Sequence, residues 1–194
     1  MHFINPFKGL RPTEEKASSV SIPSTDHLSE EIITKYKKNN PWSYLNIFNN
    51  KILNKAKEQF ELMKSNSIRG SIVNVGSIYG KVSPRQDIYD HIETPNGKYK
   101  KPLVYGVSKS ALTNFTKYLA TYWGENGIRV NNVILGGVMN NQDTELVEKY
   151  SKNVPLGRMA NIDECISPIL FLLSDSSSYI TGSDLIVDGG WTSW

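Results

Sequence analysis

The sequence holds a single cysteine, Cys165, so no disulfide can form within the chain, and the apolar run around it predicts an inert core thiol in a reducing compartment. The three histidines stand far apart at positions 2, 27 and 91, and with one cysteine they offer no metal-ligand cluster; no metal centre is expected. No stretch approaches the roughly 18–20 consecutive apolar residues of a membrane-spanning helix. Residues 1–20 have no apolar signal-peptide core, which makes a cytoplasmic location the expectation. Charge of either sign is modest: a net +3 with 21% charged and 39% hydrophobic residues fits a soluble globular protein and argues against a disordered, membrane or DNA-coating chain. No two of the 14 glycines are separated by a single residue, so the Gly-x-Gly turn that cradles a dinucleotide pyrophosphate is missing.

What is present divides near residue 50. At 194 residues the chain is long enough for a continuous core without disulfides or metals. Residues 1–50 carry Pro6, Pro12, Pro23 and Pro41 and allow one helix, Leu28 to Lys38, capped by Asp26 or Ser29. This segment reads as irregular. From Ile52 the pattern becomes regular: a helix to about Lys64, then an apolar strand Ser71 to Gly76. A long loop from Lys81 to Val104 leads to a helix beginning near Tyr105, where Leu112, Phe115, Leu119 and Tyr122 recur at helical spacing until Gly124 and Gly127 stop it. A strand Ile128 to Ile134 ends at Gly136-Gly137, and a polar helix follows over about Asp143 to Lys152. Asn161 and Glu164 have capping-box spacing at the start of the next helix, inside which Pro168 predicts a kink. A last strand runs from Asp184 to Asp188. Apolar strands alternating with helices predict an α/β architecture with a parallel sheet covered on both faces. The basic run Lys98 to Lys101 reads as a solvated loop.

Tyr105 and Lys109 are four apart on a predicted helix, so their side chains project from one face. A phenol with a pKa near 10 becomes useful at neutral pH only if about 4 kcal/mol of stabilisation reaches its phenolate, and a neighbouring ammonium supplies that kind of interaction. Ser77 follows the predicted strand at the carboxyl edge of an open sheet, where ligands bind. Taken singly, each has a bland reading: a turn serine, a surface tyrosine, a solvated lysine.

Read in order, Gly70-Ser-Ile-Val-Asn-Val-Gly-Ser77-Ile-Tyr-Gly80, Tyr105-Gly-Val-Ser-Lys109, Ile128-Arg-Val-Asn131 and Asp188-Gly-Gly-Trp191 resemble the short-chain dehydrogenase/reductase family. Within it, Ser77-Ile-Tyr-Gly80, the lengthened loop and Tyr179-Ile-Thr-Gly182 look most like oxidoreductases of surface-polysaccharide and flagellin-sugar biosynthesis. The resemblance implies hydride transfer between NAD or NADP and a carbonyl or secondary alcohol of a sugar-like substrate, possible sugar nucleotides included, with no nucleic-acid or membrane partner. It implies that Tyr105 is the acid-base group, that Ser77 orients substrate, and that Lys109 lowers the tyrosine pKa and holds the nicotinamide ribose. Gly136 and Val138 would lie against the nicotinamide, although Leu135 stands where the family usually has proline. Homodimers or homotetramers are the family's usual assemblies.

The pattern breaks upstream. The implied fold is a partial Rossmann-like, doubly wound parallel sheet lacking its first βαβ units, so the strand at 71–76 loses its inner neighbour. Residues 1–50 form a separate segment, distinct from the catalytic part at 51–194; Pro6 to Pro12, Asp26 and Asn40 to Leu45 resemble the opening of an uncharacterised bacterial family, which suggests a chimera. The family's relay asparagine could be Asn46, Asn49 or Asn50, and none is singled out. The loop 81–104 holds Arg85, Asp87, Asp90, His91 and Glu93 and is expected to shape a substrate site, with His91 solvated. Activity of this chain alone is expected to be impaired. The alternative is a non-catalytic remnant that associates through Leu112, Phe115 and Leu119, or through Trp191 and Trp194.

Overall fold

The computed structural model describes residues 50–194, with side chains from Asn54 onward. The helix expected at 28–38, its caps, and Asn46 and Asn49 lie outside the described residues. The elements are helix α1 (Asn50–Ser65), strand β1 (Ser71–Ser77), a short hairpin of β2 (Glu93–Thr94) and β3 (Gly97–Lys98), helix α2 (Leu103–Trp123), β4 (Arg129–Leu135), α3 (Thr144–Ser151), α4 (Ile162–Leu173) and β5 (Asp184–Val187). The expected α/β architecture is present. Three strands form a parallel sheet in the order β1-β4-β5, so that among the described residues β1 pairs with β4 alone.

The register aligns the carboxyl ends of the sheet. Ser77 pairs with Leu135, and Leu135 with Val187, so the chain leaves all three strands at one edge. Two apolar clusters flank the sheet at its opposite ends. At the amino end, Phe60 and Met63 of α1 pack with Leu119, Ala120 and Trp123 of α2 and with Ile128 and Val130; the Phe60 and Trp123 rings stack with centroids 4.6 Å apart. At the carboxyl edge, Ile78, Tyr79, Ile88, Tyr89, Ile134, Tyr150, Val154, Met159 and Trp191 form the second cluster.

Helix α2 is rotated from its expected stripe. Thr116, Leu119, Ala120 and Trp123 face inward and Phe115 packs partly against them, whereas Tyr122 is 53% exposed. Thr116 can face the sheet because its hydroxyl accepts a hydrogen bond from Asn74 at 2.8 Å and donates to Leu112 C=O at 2.9 Å. Asn74 had no apolar signature to mark it as a packing partner. Gly127 ends the helical region in a left-handed conformation at φ 71°. Helix α4 runs through Pro168 from Ile162 to Leu173. Arg129 binds the end of that helix, reaching Leu172 C=O and Ser174 C=O at 3.0 Å each and the Ser177 hydroxyl at 2.9 Å. Asn131 bonds Ile180 C=O at 2.8 Å and accepts the Ser183 N–H at 3.1 Å, fixing the entry to β5. Cys165 is buried, and burial pushes its thiol pKa up, as a core thiol requires. No helix among the described residues is long and apolar enough to cross a membrane.

Candidate active site

Ser77 ends β1 and is buried; its hydroxyl accepts the Tyr79 N–H at 3.3 Å and so opens a single 3-10 turn, Ile78–Gly80. That turn presses on α2. A Cβ on Gly80 would lie 2.7 Å from the Lys109 carbonyl carbon, so only glycine permits the approach, and the Ser110 hydroxyl closes it by donating to Gly80 C=O at 2.8 Å. At Gly106, one turn earlier, a Cβ would stand in tight contact with Tyr79 C=O at 3.1 Å.

Tyr105 and Lys109 therefore sit on the part of α2 that faces the end of β1. The Lys109 ammonium donates to Val75 C=O at 3.0 Å, two residues before Ser77, and lies 5.9 Å from the Tyr105 ring centroid. Two residues after Ser77, the Tyr79 ring meets the Tyr105 ring edge to face at 6.4 Å. Ser77 is thus bracketed along its strand by contacts to both residues.

The turn after β4 adds the third wall. Gly137 N–H donates to the Tyr150 hydroxyl at 2.5 Å, Gly137 C=O accepts from Ala160 N–H at 2.9 Å, Met139 N–H donates to Ala160 C=O at 2.8 Å, and Val138 C=O accepts from the Gln142 amide at 2.6 Å. The Val138 N–H is left without a partner among the described residues. Both glycines are needed sterically: a Cβ on Gly137 would lie 2.6 Å from Tyr150 Cζ, and one on Gly136 would lie 2.9 Å from Asp188 Cα. Tyr150 stacks on Trp191 with centroids 4.4 Å apart and an interplanar angle of 17°. Burial pushes the Tyr150 phenol up to about 12, with the Gly137 N–H acting in the opposite direction. Trp191 is placed by Asp188, whose carboxylate accepts Gly190 N–H and Thr192 N–H at 2.8 Å each.

The loop 81–104 is ordered against this site. Tyr79 and Tyr89 share a hydroxyl hydrogen bond at 3.0 Å, and burial raises both phenols, so they stay neutral. His91 is not solvated: its side chain is 11% exposed, with Nε2 3.0 Å from Asp143 Oδ1 and Nδ1 3.9 Å from Glu145 Oε1. The helix it faces, α3, begins where the Leu146 N–H, with His91 beside it, holds the Asp143 carboxyl below the usual range. Asp90 pairs with Lys149, which also reaches Glu145 at 2.9 Å, and Arg85 donates to Asn153 at 2.6 Å. Lys101, expected as one of a solvated run, is half-buried with its ammonium 4.5 Å from the Tyr105 ring centroid.

Tyr150, Tyr79, Tyr89, Gln86 and Lys101 were not singled out from sequence. Tyr150 lies on a helix whose residues look polar, and its one signal is the glycine pair at 136–137 that its ring needs. Of the residues proposed for association, Leu119 and Trp191 are core and Trp194 is exposed.

The lysine ammonium, the 136–138 turn and its Val138 N–H fit the nicotinamide-ribose half of a dinucleotide. Nothing among the described residues matches a pyrophosphate cradle. A family model described as enoyl-(acyl carrier protein) reductase matches residues 43–192. The post-translational flagellin modification protein A of Campylobacter coli is 32% identical over 136 residues, covering 70% of this chain and 51% of that protein. A D-arabinitol 2-dehydrogenase (ribulose-forming) of Scheffersomyces stipitis is 31% identical over 137 residues, covering 66% of this chain and 45% of that protein. A short-chain dehydrogenase from Leptospira borgpetersenii, solved with bound NAD+, superposes with a TM-score of 0.66 at 37% identity, covering 74% of this chain and 52% of that one. The chain thus spans about half the length of the relatives it matches and belongs to the short-chain dehydrogenase/reductase family.

Proposed function

We propose that this chain carries the catalytic half of an NAD(P)-dependent oxidoreductase acting on a secondary alcohol or carbonyl of a sugar-like or polyol substrate. The observation that carries the reading is the Lys109 ammonium bridging Val75 C=O and the Tyr105 ring at the strand end occupied by Ser77. NAD(P), when bound, accepts or supplies the hydride. Tyr105 takes the alcohol proton or returns it to the carbonyl oxygen, Ser77 Oγ holds that oxygen, and Lys109 favours the negative charge on the phenol while binding ribose hydroxyls. The Val138 N–H would donate to the carboxamide oxygen of the bound nicotinamide. The sugar or polyol assignment draws on the relatives, one named for flagellin modification and one for D-arabinitol oxidation.

Each charge-assisted hydrogen bond of a missing pyrophosphate cradle removes roughly 1.5–3 kcal/mol, so cofactor affinity falls by several powers of ten. Saturation-transfer NMR of the chain with millimolar NADH should therefore give contacts at the nicotinamide protons that disappear in Lys109→Ala. Absence of such contacts in the parent chain overturns the reading. No NAD(P) turnover is expected from the chain alone; saturable NADH oxidation abolished by Tyr105→Phe would show the cradle to be dispensable.

A second reading, association without catalysis, is favoured by the exposed apolar start of α2, where Leu103 is 82% exposed and Val104 75%. A strict monomer at micromolar concentration in sedimentation velocity removes it.

A further inference from the structure

Resting on the reading of Tyr105 as the acid-base group, we propose that Lys101 is a second positioning cation for that phenol beside Lys109, held by a dedicated clamp. The clamp is Gln86. Its side-chain oxygen accepts the Lys101 N–H at 2.9 Å while its amide donates to Lys101 C=O at 3.3 Å, so both main-chain groups of one residue are gripped by one side chain. Pro102 follows with φ −60°, which restricts the Lys101 backbone to the extended region before α2 begins. Gln86 is itself fixed, because it opens the short turn Gln86–Tyr89 whose Tyr89 is buried and hydrogen-bonded to Tyr79.

With its main chain held, the Lys101 ammonium lies 4.5 Å from the Tyr105 ring centroid and 5.8 Å from that of Tyr89, nearer to Tyr105 than Lys109 is at 5.9 Å. Among the described residues Lys101 forms no ion pair with a carboxylate. Among the described residues, the charged or titratable groups facing Tyr105 are Lys109 from its own helix, Lys101 and Tyr89 from the loop, and Tyr79 from the turn after β1; the two tyrosines are kept neutral by burial. A neutral phenol attracts the ammonium weakly through its ring quadrupole. As the phenol yields its proton the attraction becomes charge to charge, and a cation already in place needs no reorganisation at that moment. Sequence reading placed Lys101 in a solvated run because the clamp is 15 residues away.

The test uses the full chain labelled with 13Cζ-tyrosine, with the Tyr105 resonance assigned through Tyr105→Phe. At fixed pH near 9.5, Lys101→Met is expected to lower the ratio of ionised to neutral Tyr105 by about threefold or more at low salt. Lys101→Arg should restore the ratio to within about twofold, and the Lys101→Met deficit should shrink in 1 M salt. Gln86→Ala, which leaves the charge but frees the backbone, should fall between the parent and Lys101→Met. An unchanged ratio in Lys101→Met overturns the proposal. If Lys109→Met lowers the ratio while Lys101→Met does not, only the second cation is lost. If neither does and nicotinamide contacts are also absent, the acid-base reading fails with it.

Discussion

The hydroxyl of Tyr150 accepts the Gly137 N–H inside a cluster that water does not reach, since Tyr150 is 5% exposed and Trp191 covers its ring. Removing the hydroxyl leaves a half-buried donor unmet. Tyr150→Phe is expected to cost about 1–3 kcal/mol in urea unfolding and to weaken nicotinamide contacts, because the turn at 136–138 loses its anchor. Gly137→Ala should destabilise more than Tyr150→Phe, since its Cβ would enter the phenol ring at 2.6 Å from Cζ and push the Tyr150–Trp191 stack apart. A Gly137→Ala variant as stable as the parent would contradict this. At this scale the sequence was partly readable. Ser77, Tyr105 and Lys109 were singled out as candidates because they stand in ordered motifs, whereas Tyr150 and Lys101 are ordinary surface-type residues until a distant glycine pair or glutamine gives them a partner.

Among the elements, α4 shows how a helix start carries pH dependence. The Glu164 carboxylate accepts the Asn161 N–H at 2.8 Å and two Arg158 hydrogen bonds at 2.7 Å each. Arg158 first, and then the Asn161 N–H, depress the Glu164 carboxyl to about 2 from its ordinary value of 4.5. A folded-state value below the unfolded one means this stabilisation is present in full above about pH 4.5 and is lost as pH falls toward 2. Glu164→Gln should therefore lower Tm at pH 6 and flatten the fall in Tm between pH 5 and pH 2; an unchanged acid limb would refute the assignment. The box spacing of Asn161 and Glu164 was visible in sequence, but Arg158 was not, because it binds from before the helix.

The loop before α2 and helix α3 form a second pair of elements whose link no periodicity announces. Lys149 joins Asp90 to Glu145, so Lys149→Met should speed amide exchange of Asp90 and Ile92, which bond Asp87 C=O and Tyr89 C=O. The gain should be about two- to fivefold, the scale expected of exposed ion pairs. No change would mean that the tyrosine packing alone orders the loop. His91 was expected in solvent because it lies in the long loop 81–104. It is covered because α3 brings Asp143 and Glu145 over it.

On the scale of the whole molecule, the two apolar clusters at opposite ends of the sheet divide stability from site geometry. Phe60→Leu, which removes the stack on Trp123 at the amino end, should cost about 1–2 kcal/mol in urea unfolding. It should leave the nicotinamide contacts of the folded chain unchanged, because neither α1 nor Trp123 belongs to the cluster containing Tyr150. Equal loss of nicotinamide contacts in Phe60→Leu and Tyr150→Phe would show the two ends to be one cooperative unit.

The α/β alternation and, to within a residue, the strand ends were determined by the amino-acid order alone, because apolar period and glycine stops are local properties of a chain; the candidates Ser77, Tyr105 and Lys109 were named from motif order in the same way. Helix α2's true inward face, the covering of His91, the anchoring of Gly137 by Tyr150 and the approach of Lys101 to Tyr105 were decided only in three dimensions. Each depends on a partner brought from another element, and for Lys101, Tyr150 and His91 that partner lies 13 to 54 residues away. Pairings at such separations follow from the register of the sheet and the packing of its helices, which no short window of sequence contains.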